Sequence, residues 1–296
     1  MAPRGSKTTA STTAELLADR ASIIATKSTK DTVPVESLDL ISPISAPCRV
    51  VAQMTNFASH VRDAGLNPAT VPLTFFRKSS GSISGPFDDI VKPTHVRLLD
   101  YEVEIGLVIG REVPVGTEIT ERNLATYVAG LVVTNDVSAR DLQLPKTQFY
   151  ESKSYPSFTP AGPFLVLLDA GELARFADLR LRLSVNGEVR QDMTVGADMI
   201  YRPVRALAAL TRFQRLDAGD LVLTGTPVGT ALSAPPKAVQ KITSLLPDAT
   251  RWKLFFSSQA KNPEYLAHGD VVEASVATYD GAIDLGTQRT VVRYAR

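Results

Sequence analysis

Apolar runs rich in β-branched residues dominate the chain from Cys48 onward, and Leu98 to Gly110, Tyr127 to Thr134 and Pro163 to Leu168 have the composition of strands. Leu179, Leu181, Leu183 and Val185 alternate with Arg180, Arg182 and Ser184 and run into Asn186-Gly187. That pattern predicts a half-buried strand closed by a two-residue hairpin turn. Asp280-Gly281 predicts a second hairpin, between Val271–Thr278 and Gly286–Val292. Apolar residues at helical spacing occur over Ala14–Thr26, through Leu16, Leu17, Ile23 and Ile24, and over Ile200–Phe213. With no internal repeat and no alternation of strands with helices, the expected fold is mainly β with a few helices (α+β), on an antiparallel or mixed sheet.

The 296 residues are 44% hydrophobic and 21% charged, close to globular averages, so a predominantly disordered chain is excluded. Lys and Arg exceed Asp and Glu by one, which gives no electrostatic footprint for nucleic acid. No apolar run is long enough for a membrane helix, so neither nucleic acid nor membrane is an expected partner. Residues 1–13 are rich in Ser, Thr and Ala and are expected to be disordered. Residues 1–30 hold five basic and two acidic side chains and lack an apolar signal core; a cytoplasmic protein is the expectation, with mitochondrial targeting the alternative.

The single cysteine, Cys48, lies in an apolar run and reads as a buried structural thiol. With one cysteine and three histidines (His60, His95, His268), a bound metal must rest on oxygen ligands, which points to Mg²⁺, Mn²⁺ or Ca²⁺. The segment Asp100-Tyr101-Glu102-Val103-Glu104 supplies such oxygens: on a strand, Asp100, Glu102 and Glu104 share one face. A solvated face would alternate in the same way. The strand continues, however, through Gly106-Leu107-Val108-Ile109, apolar on both faces, and carboxylates entering a buried region call for a cation. Asp136 closes another apolar run and would complete a three-carboxylate set, although it or Asp141 can equally cap a helix or pair with Arg140. His60 and Asp63, at i and i+3 on a short helix, have the spacing of a general base and its orienting carboxylate, and also that of an ordinary structural contact. Nucleophile-elbow, phosphate-loop and dinucleotide glycine patterns are absent.

Taken in order, Asn56–Asp63, Asp100–Gly110, Asn135–Gln143, Lys153–Pro163, Val185–Gln191, Gly219–Gly229 and His268–Glu273 resemble the fumarylacetoacetate hydrolase superfamily over about Pro47 to Val292. The resemblance implies a rolled, mixed β-sheet fold in a homodimer with Mg²⁺ or Mn²⁺ at its site. It implies metal ligation by Glu102, Glu104 and Asp136, and water activation by His60 with Asp63, where the family usually has glutamate. It also implies charge stabilisation by Lys153, and substrate contacts from Arg140, Gln143 and Thr226. The chain departs from the family pattern at Arg77, where lysine is common, and in a long excursion at 232–266. The expected organisation is an N-terminal extension (1–46) and a catalytic domain (47–296) carrying that excursion as an insertion.

The activity this resemblance implies first is metal-dependent hydrolysis of a C–C bond in a 2,4-diketo acid, the leaving carbanion being stabilised as an enolate. Decarboxylation of oxaloacetate, and tautomerisation, isomerisation or hydration of a 2-keto acid, use the same electron sink and stand as alternatives. A catalytically idle metal-binding interaction protein is the alternative of another class.

Overall fold

In the computed structural model, which describes residues 10–28, 30, 32–232 and 246–296, the chain is organised around two sheets. Their strands are β1 (Val50–Met54), β2 (Thr74–Lys78), β3 (Ile83–Ser84), β4 (Ile90–Lys92), β5 (Leu99–Asp100), β6 (Val103–Ile109), β7 (Val128–Asn135), β8 (Ser138–Ala139), β9 (Thr159–Pro160) and β10 (Val166–Leu167). The C-terminal half adds β11 (Leu179–Val185), β12 (Glu188–Thr194), β13 (Leu221–Leu223), β14 (Val271–Thr278) and β15 (Asp284–Tyr294). One sheet has six strands in the order β10-β7-β6-β13-β1-β2; the other has five, in the order β12-β11-β14-β15-β4. Both are mixed: β1 runs parallel to β13 and β15 parallel to β4, while the other pairings within them are antiparallel. This is the α+β class on mixed sheets that the strand patterns predict.

The two sheets face each other across one apolar core. Val103, Ile105, Leu107 and Ile109 of β6 and Leu131 and Val133 of β7 meet Leu179, Leu181 and Leu183 of β11 and Val272, Ala274 and Val276 of β14. The opposite face of the six-stranded sheet is also buried. Val50, Ala52, Val108, Val132, Leu221 and Leu223 are covered by Leu17 and Ile44 from the segment preceding β1. Because side chains alternate along a strand, Glu104 shares that second face with Val108. A Cβ at Gly106, between them, would lie 2.7 Å from Leu221 Cδ1 and 2.8 Å from Val132 Cγ1, so only glycine lets the strands close there.

Both predicted hairpins form. Asn186 and Gly187 adopt positive φ, 52° and 81°, at the turn between β11 and β12, as a right-twisted two-residue hairpin requires. The second joins β14 to a β15 that begins at Asp284. The expected helix over Ala14–Thr26 is two helices, Thr13–Ala18 and Arg20–Ala25, broken at Asp19. Thr12 caps the first, its hydroxyl accepting from Glu15 N while the Glu15 carboxylate accepts from Thr12 N, so order begins inside the stretch expected to be disordered. Residues 1–9 of that stretch lie outside the described residues, as do 233–245 of the excursion, whose described remainder includes the helix Asp248–Gln259. The helical stripe at Ile200–Phe213 is the helix Pro203–Leu210. Among the described residues, no helix is long and apolar enough to cross a membrane.

Candidate metal centre and active site

The strand expected over Leu98–Gly110 is interrupted. Leu99–Asp100 pairs with β8, Tyr101 and Glu102 lie outside any ladder, and β6 starts at Val103. The break separates Asp100 from the other two carboxylates. Glu102, held by its N–H to Asn135 Oδ1 at 2.9 Å, turns toward Glu104 and toward Asp136 just past the end of β7. One oxygen from each of Glu102, Glu104 and Asp136 lies within 4.8 Å of the others, and all three residues are buried. Asp141 is not among them: its oxygens accept from the backbone N–H groups of Arg97 and Leu98 at 3.0 and 3.2 Å.

Three basic side chains enter this cluster. Lys153 Nζ sits 2.7 Å from both Glu102 Oε2 and Asp136 Oδ2. Lys78 Nζ donates to Asp136 Oδ1 and, at 2.8 Å, to the Phe158 carbonyl. Arg140 donates through Nε to Asp100 Oδ2 at 2.7 Å, through one terminal nitrogen to Gln143 Oε1 at 2.8 Å, and through the other to Glu102 Oε1 at 2.5 Å. Lys78 is the residue that sequence reasoning missed. Arg77, at the position where the family commonly has lysine, is exposed on β2, whereas Lys78 is buried on the face it shares with Phe76.

Glu104 is treated differently. Among the described residues it forms no ion pair; its Oε2 accepts the Gly225 N–H at 2.6 Å. Gly225 has φ of 87°, and a Cβ there would come within 2.7 Å of Asn56 Cβ. Asn56 is itself fixed by donating to the carbonyls of Thr224 and Tyr201 at 2.7 and 3.0 Å. Burial, then Asp136, then Glu102, push the Glu104 carboxyl well above the usual carboxylate range. Burial also opposes ionisation of Glu102, but Arg140 and Lys153 outweigh it and hold that carboxyl well below the range. Counting Asp100, four buried carboxyl groups meet three buried basic side chains, and Glu104 is the one left without an ion-pair partner, so it holds its proton most tightly. Three convergent carboxyl groups, one of which can release its proton to an incoming cation, fit a hard divalent cation; the donor set carries no preference for a particular metal.

His60 lies on the helix Ala58–Asp63, which is capped from outside: Asp198 accepts from Ser59 N at 3.0 Å and from the Ser59 hydroxyl. Burial lowers the imidazole pKa, and Glu102 only partly counters it, so His60 is held neutral. The structure does not join His60 to Asp63 by a hydrogen bond; among the described residues, His60 Nδ1 is buried without a partner. Thr226 Oγ1 accepts from Gln191 Nε2 at 2.8 Å, and Gln191 Oε1 in turn accepts the Val103 N–H at 3.0 Å, fixing the Thr226 loop to the start of β6. Cys48 is half-buried and its thiol is pushed up to about 12, chiefly by burial, in keeping with a structural role.

Comparison with known proteins adds to this geometry. Solved structures resemble the fold closely. A probable 2-hydroxyhepta-2,4-diene-1,7-dioate isomerase from Mycobacterium abscessus is 30% identical at a TM-score of 0.70, covering 96% of this chain and 89% of its own. A 5-carboxymethyl-2-hydroxymuconate delta-isomerase from Mycobacterium smegmatis is 26% identical at 0.67, covering 90% and 87%. Among curated relatives, a mitochondrial oxaloacetate tautomerase of Rattus norvegicus is 33% identical over 210 residues, and its Homo sapiens counterpart 32% over 211. Each alignment takes in 71% of this chain and spans 65% of the relative's length. The profile described as fumarylacetoacetate (FAA) hydrolase C-terminal matches residues 49–293, and the chain belongs to that family of enzymes.

Proposed function

We propose that the protein is a divalent-metal-dependent enzyme that interconverts the keto and enol forms of a small 2-oxo dicarboxylic acid, oxaloacetate being the first candidate. The observation that carries this reading, against hydrolysis of a C–C bond, is the unpartnered His60 Nδ1. Hydrolysis calls for an imidazole oriented to take a proton from water, and among the described residues no carboxylate is hydrogen-bonded to it. Keto–enol exchange needs only an electron sink and a proton carrier. The names of the relatives and structural neighbours, tautomerases and isomerases, support the same choice.

A cation held by Glu102, Glu104 and Asp136 would polarise the 2-oxo group and acidify the adjacent C–H. Arg140 has five N–H donors, and its three bonds to Asp100, Gln143 and Glu102 leave two with which to bind a substrate carboxylate beside Gln143. Lys78 and Lys153, on the two oxygens of Asp136, bring positive charge to the side where an enolate oxygen develops. Burial works against the charge on Lys153, but Asp136 and Glu102 outweigh it, so Nζ keeps its proton; we assign Nζ to deliver that proton to the enol carbon and to recover the proton released from the enol hydroxyl, so that one proton moves from oxygen to carbon and the lysine ends as it began. Of the two cellular settings expected, the mitochondrial relatives support the mitochondrial one.

The test is His60→Ala, assayed on two substrates by loss of enol absorbance with products read by NMR. Relaxation of the enol of oxaloacetate should stay within about 10-fold of wild type, whereas a general base for water attack is worth about 10²–10⁴-fold. If wild type cleaves an acylpyruvate to pyruvate and a free acid, and the variant does not, hydrolysis is the activity and the proposal fails.

A further inference from the structure

Asp100, separated from the metal-facing carboxylates by the break in the strand, is fully buried and accepts four hydrogen bonds. Its Oδ1 takes the N–H groups of Tyr101 and Ala231, both at 2.8 Å; its Oδ2 takes Arg140 Nε at 2.7 Å and the Leu232 N–H at 3.1 Å. Arg140 carries the link onward to Glu102. Ala231 and Leu232 are the root from which the 232–266 excursion leaves the body. Where the chain returns, Asn262 Nδ2 donates to the Ala231 carbonyl at 2.8 Å. One carboxylate thus stands between this root and a carboxylate of the metal-facing triad.

We propose that Asp100 is a positioning residue that couples Glu102, through Arg140, to the root of the excursion at Ala231 and Leu232. The inference rests on the reading of Glu102 as a metal ligand and ties that site to the backbone of Ala231 and Leu232. A guanidinium is a rigid planar fork, so the end held by Asp100 fixes the direction of the end that holds Glu102. Aspartate can accept all four bonds, whereas the amide nitrogen of asparagine accepts none. Asp100→Asn therefore loses acceptors for part of the set and leaves Glu102 as the one carboxylate partner of Arg140. Arg140 then competes harder with a cation for Glu102. Outer partners of metal ligands typically carry about 10–100-fold in affinity, and that is the expected loss. Coupling is reciprocal, so a cation bound at the triad must also steady the root.

The experiment uses the full chain stripped of metal, with Mn²⁺ as the probe. Free Mn²⁺ is titrated by electron paramagnetic resonance, and amide exchange at Ala231 and Leu232 is followed by mass spectrometry with and without Mn²⁺. Wild type should bind Mn²⁺ and slow exchange at these two amides. Asp100→Asn should bind about 10–100-fold more weakly and lose the Mn²⁺-dependent protection even when saturated. A variant that folds but gains nothing except faster metal-free exchange, with Mn²⁺ affinity and protection unchanged, overturns the proposal alone. Wild type that binds no Mn²⁺ overturns the metal reading and this inference with it. If Asp100→Asn does not fold, Asn262→Ala loosens the same root from a half-buried position, with an expected loss of up to about 5-fold in Mn²⁺ affinity. No change in either readout for that variant overturns the proposal as well.

Discussion

Replacing Glu104 by glutamine separates cation binding from the repulsion among the buried carboxylates. In the cluster of Asp100, Glu102, Glu104, Asp136, Lys78, Arg140 and Lys153, Glu104 is the carboxyl left without an ion-pair partner, and glutamine takes its place as a group that cannot ionise. Glutamine keeps a carbonyl oxygen to accept the Gly225 N–H, a 2.6 Å bond in wild type. The metal-free variant is therefore expected to be at least as stable as the metal-free wild type. Cation at about 100 times its dissociation constant adds about 2.7 kcal/mol to wild type. At about 2–3 °C per kcal/mol for a chain of this size, the melting temperature rises about 5–8 °C. Losing one of three anionic oxygen donors, with a fall of about 100-fold in affinity, leaves about 0.4 kcal/mol at the same concentration, a rise of about 1 °C. Thermal unfolding of both proteins with Mn²⁺ and with EDTA reads these quantities. A rise in Glu104→Gln equal to that of wild type, or a metal-free variant more than about 2 kcal/mol less stable, would refute the charge assignment.

Lys153→Met should lower turnover of a 2-oxo acid by about 10²–10³-fold without weakening Mn²⁺ binding, because it removes a competitor for Glu102 and Asp136; joint loss of turnover and binding would contradict its role. The pH dependence follows from Glu104, whose folded pKa is raised. Its proton stabilises the metal-free fold below the unfolded value of 4.5, and that stability is lost as pH rises through the folded value. A cation must displace the same proton, so the Mn²⁺-induced melting shift should be larger at about pH 8 than at about pH 5.5. Leu17→Ala, under the outer face of the six-stranded sheet, should cost about 2–5 kcal/mol in urea unfolding, and a change below about 0.5 kcal/mol would mean that the N-terminal segment does not seal that face.

Much of the site was legible because period two and burial act locally. Glu102 and Glu104 precede a stretch that is apolar on both faces, and Asp136 sits where β7 stops; the structure brings these three together. The hairpins were legible for the same reason, Asn186 and Gly187 being residues that tolerate positive φ. What escaped depends on contacts between distant segments. Lys78 reaches Asp136 across 58 positions, and β13 inserts between β6 and β1, more than a hundred residues from either. Nothing local distinguishes Lys78 from Arg77, its neighbour on the other face of β2. Asp100 misled for the opposite reason: alternation placed it with Glu102 and Glu104, but its four hydrogen bonds, two of them to Ala231 and Leu232, hold it in a separate short ladder. The His60–Asp63 spacing fits a dyad, yet helical spacing alone does not supply a hydrogen bond, and none forms.

The most direct measurement is the decay of enol absorbance of freshly dissolved oxaloacetate with the full chain, first stripped with EDTA and then given Mg²⁺ or Mn²⁺. The account predicts a metal-dependent acceleration that is absent with EDTA and in Glu104→Gln, with keto oxaloacetate as the product by NMR. Equal rates with and without metal, or pyruvate accumulating in step with the loss of enol, would contradict it.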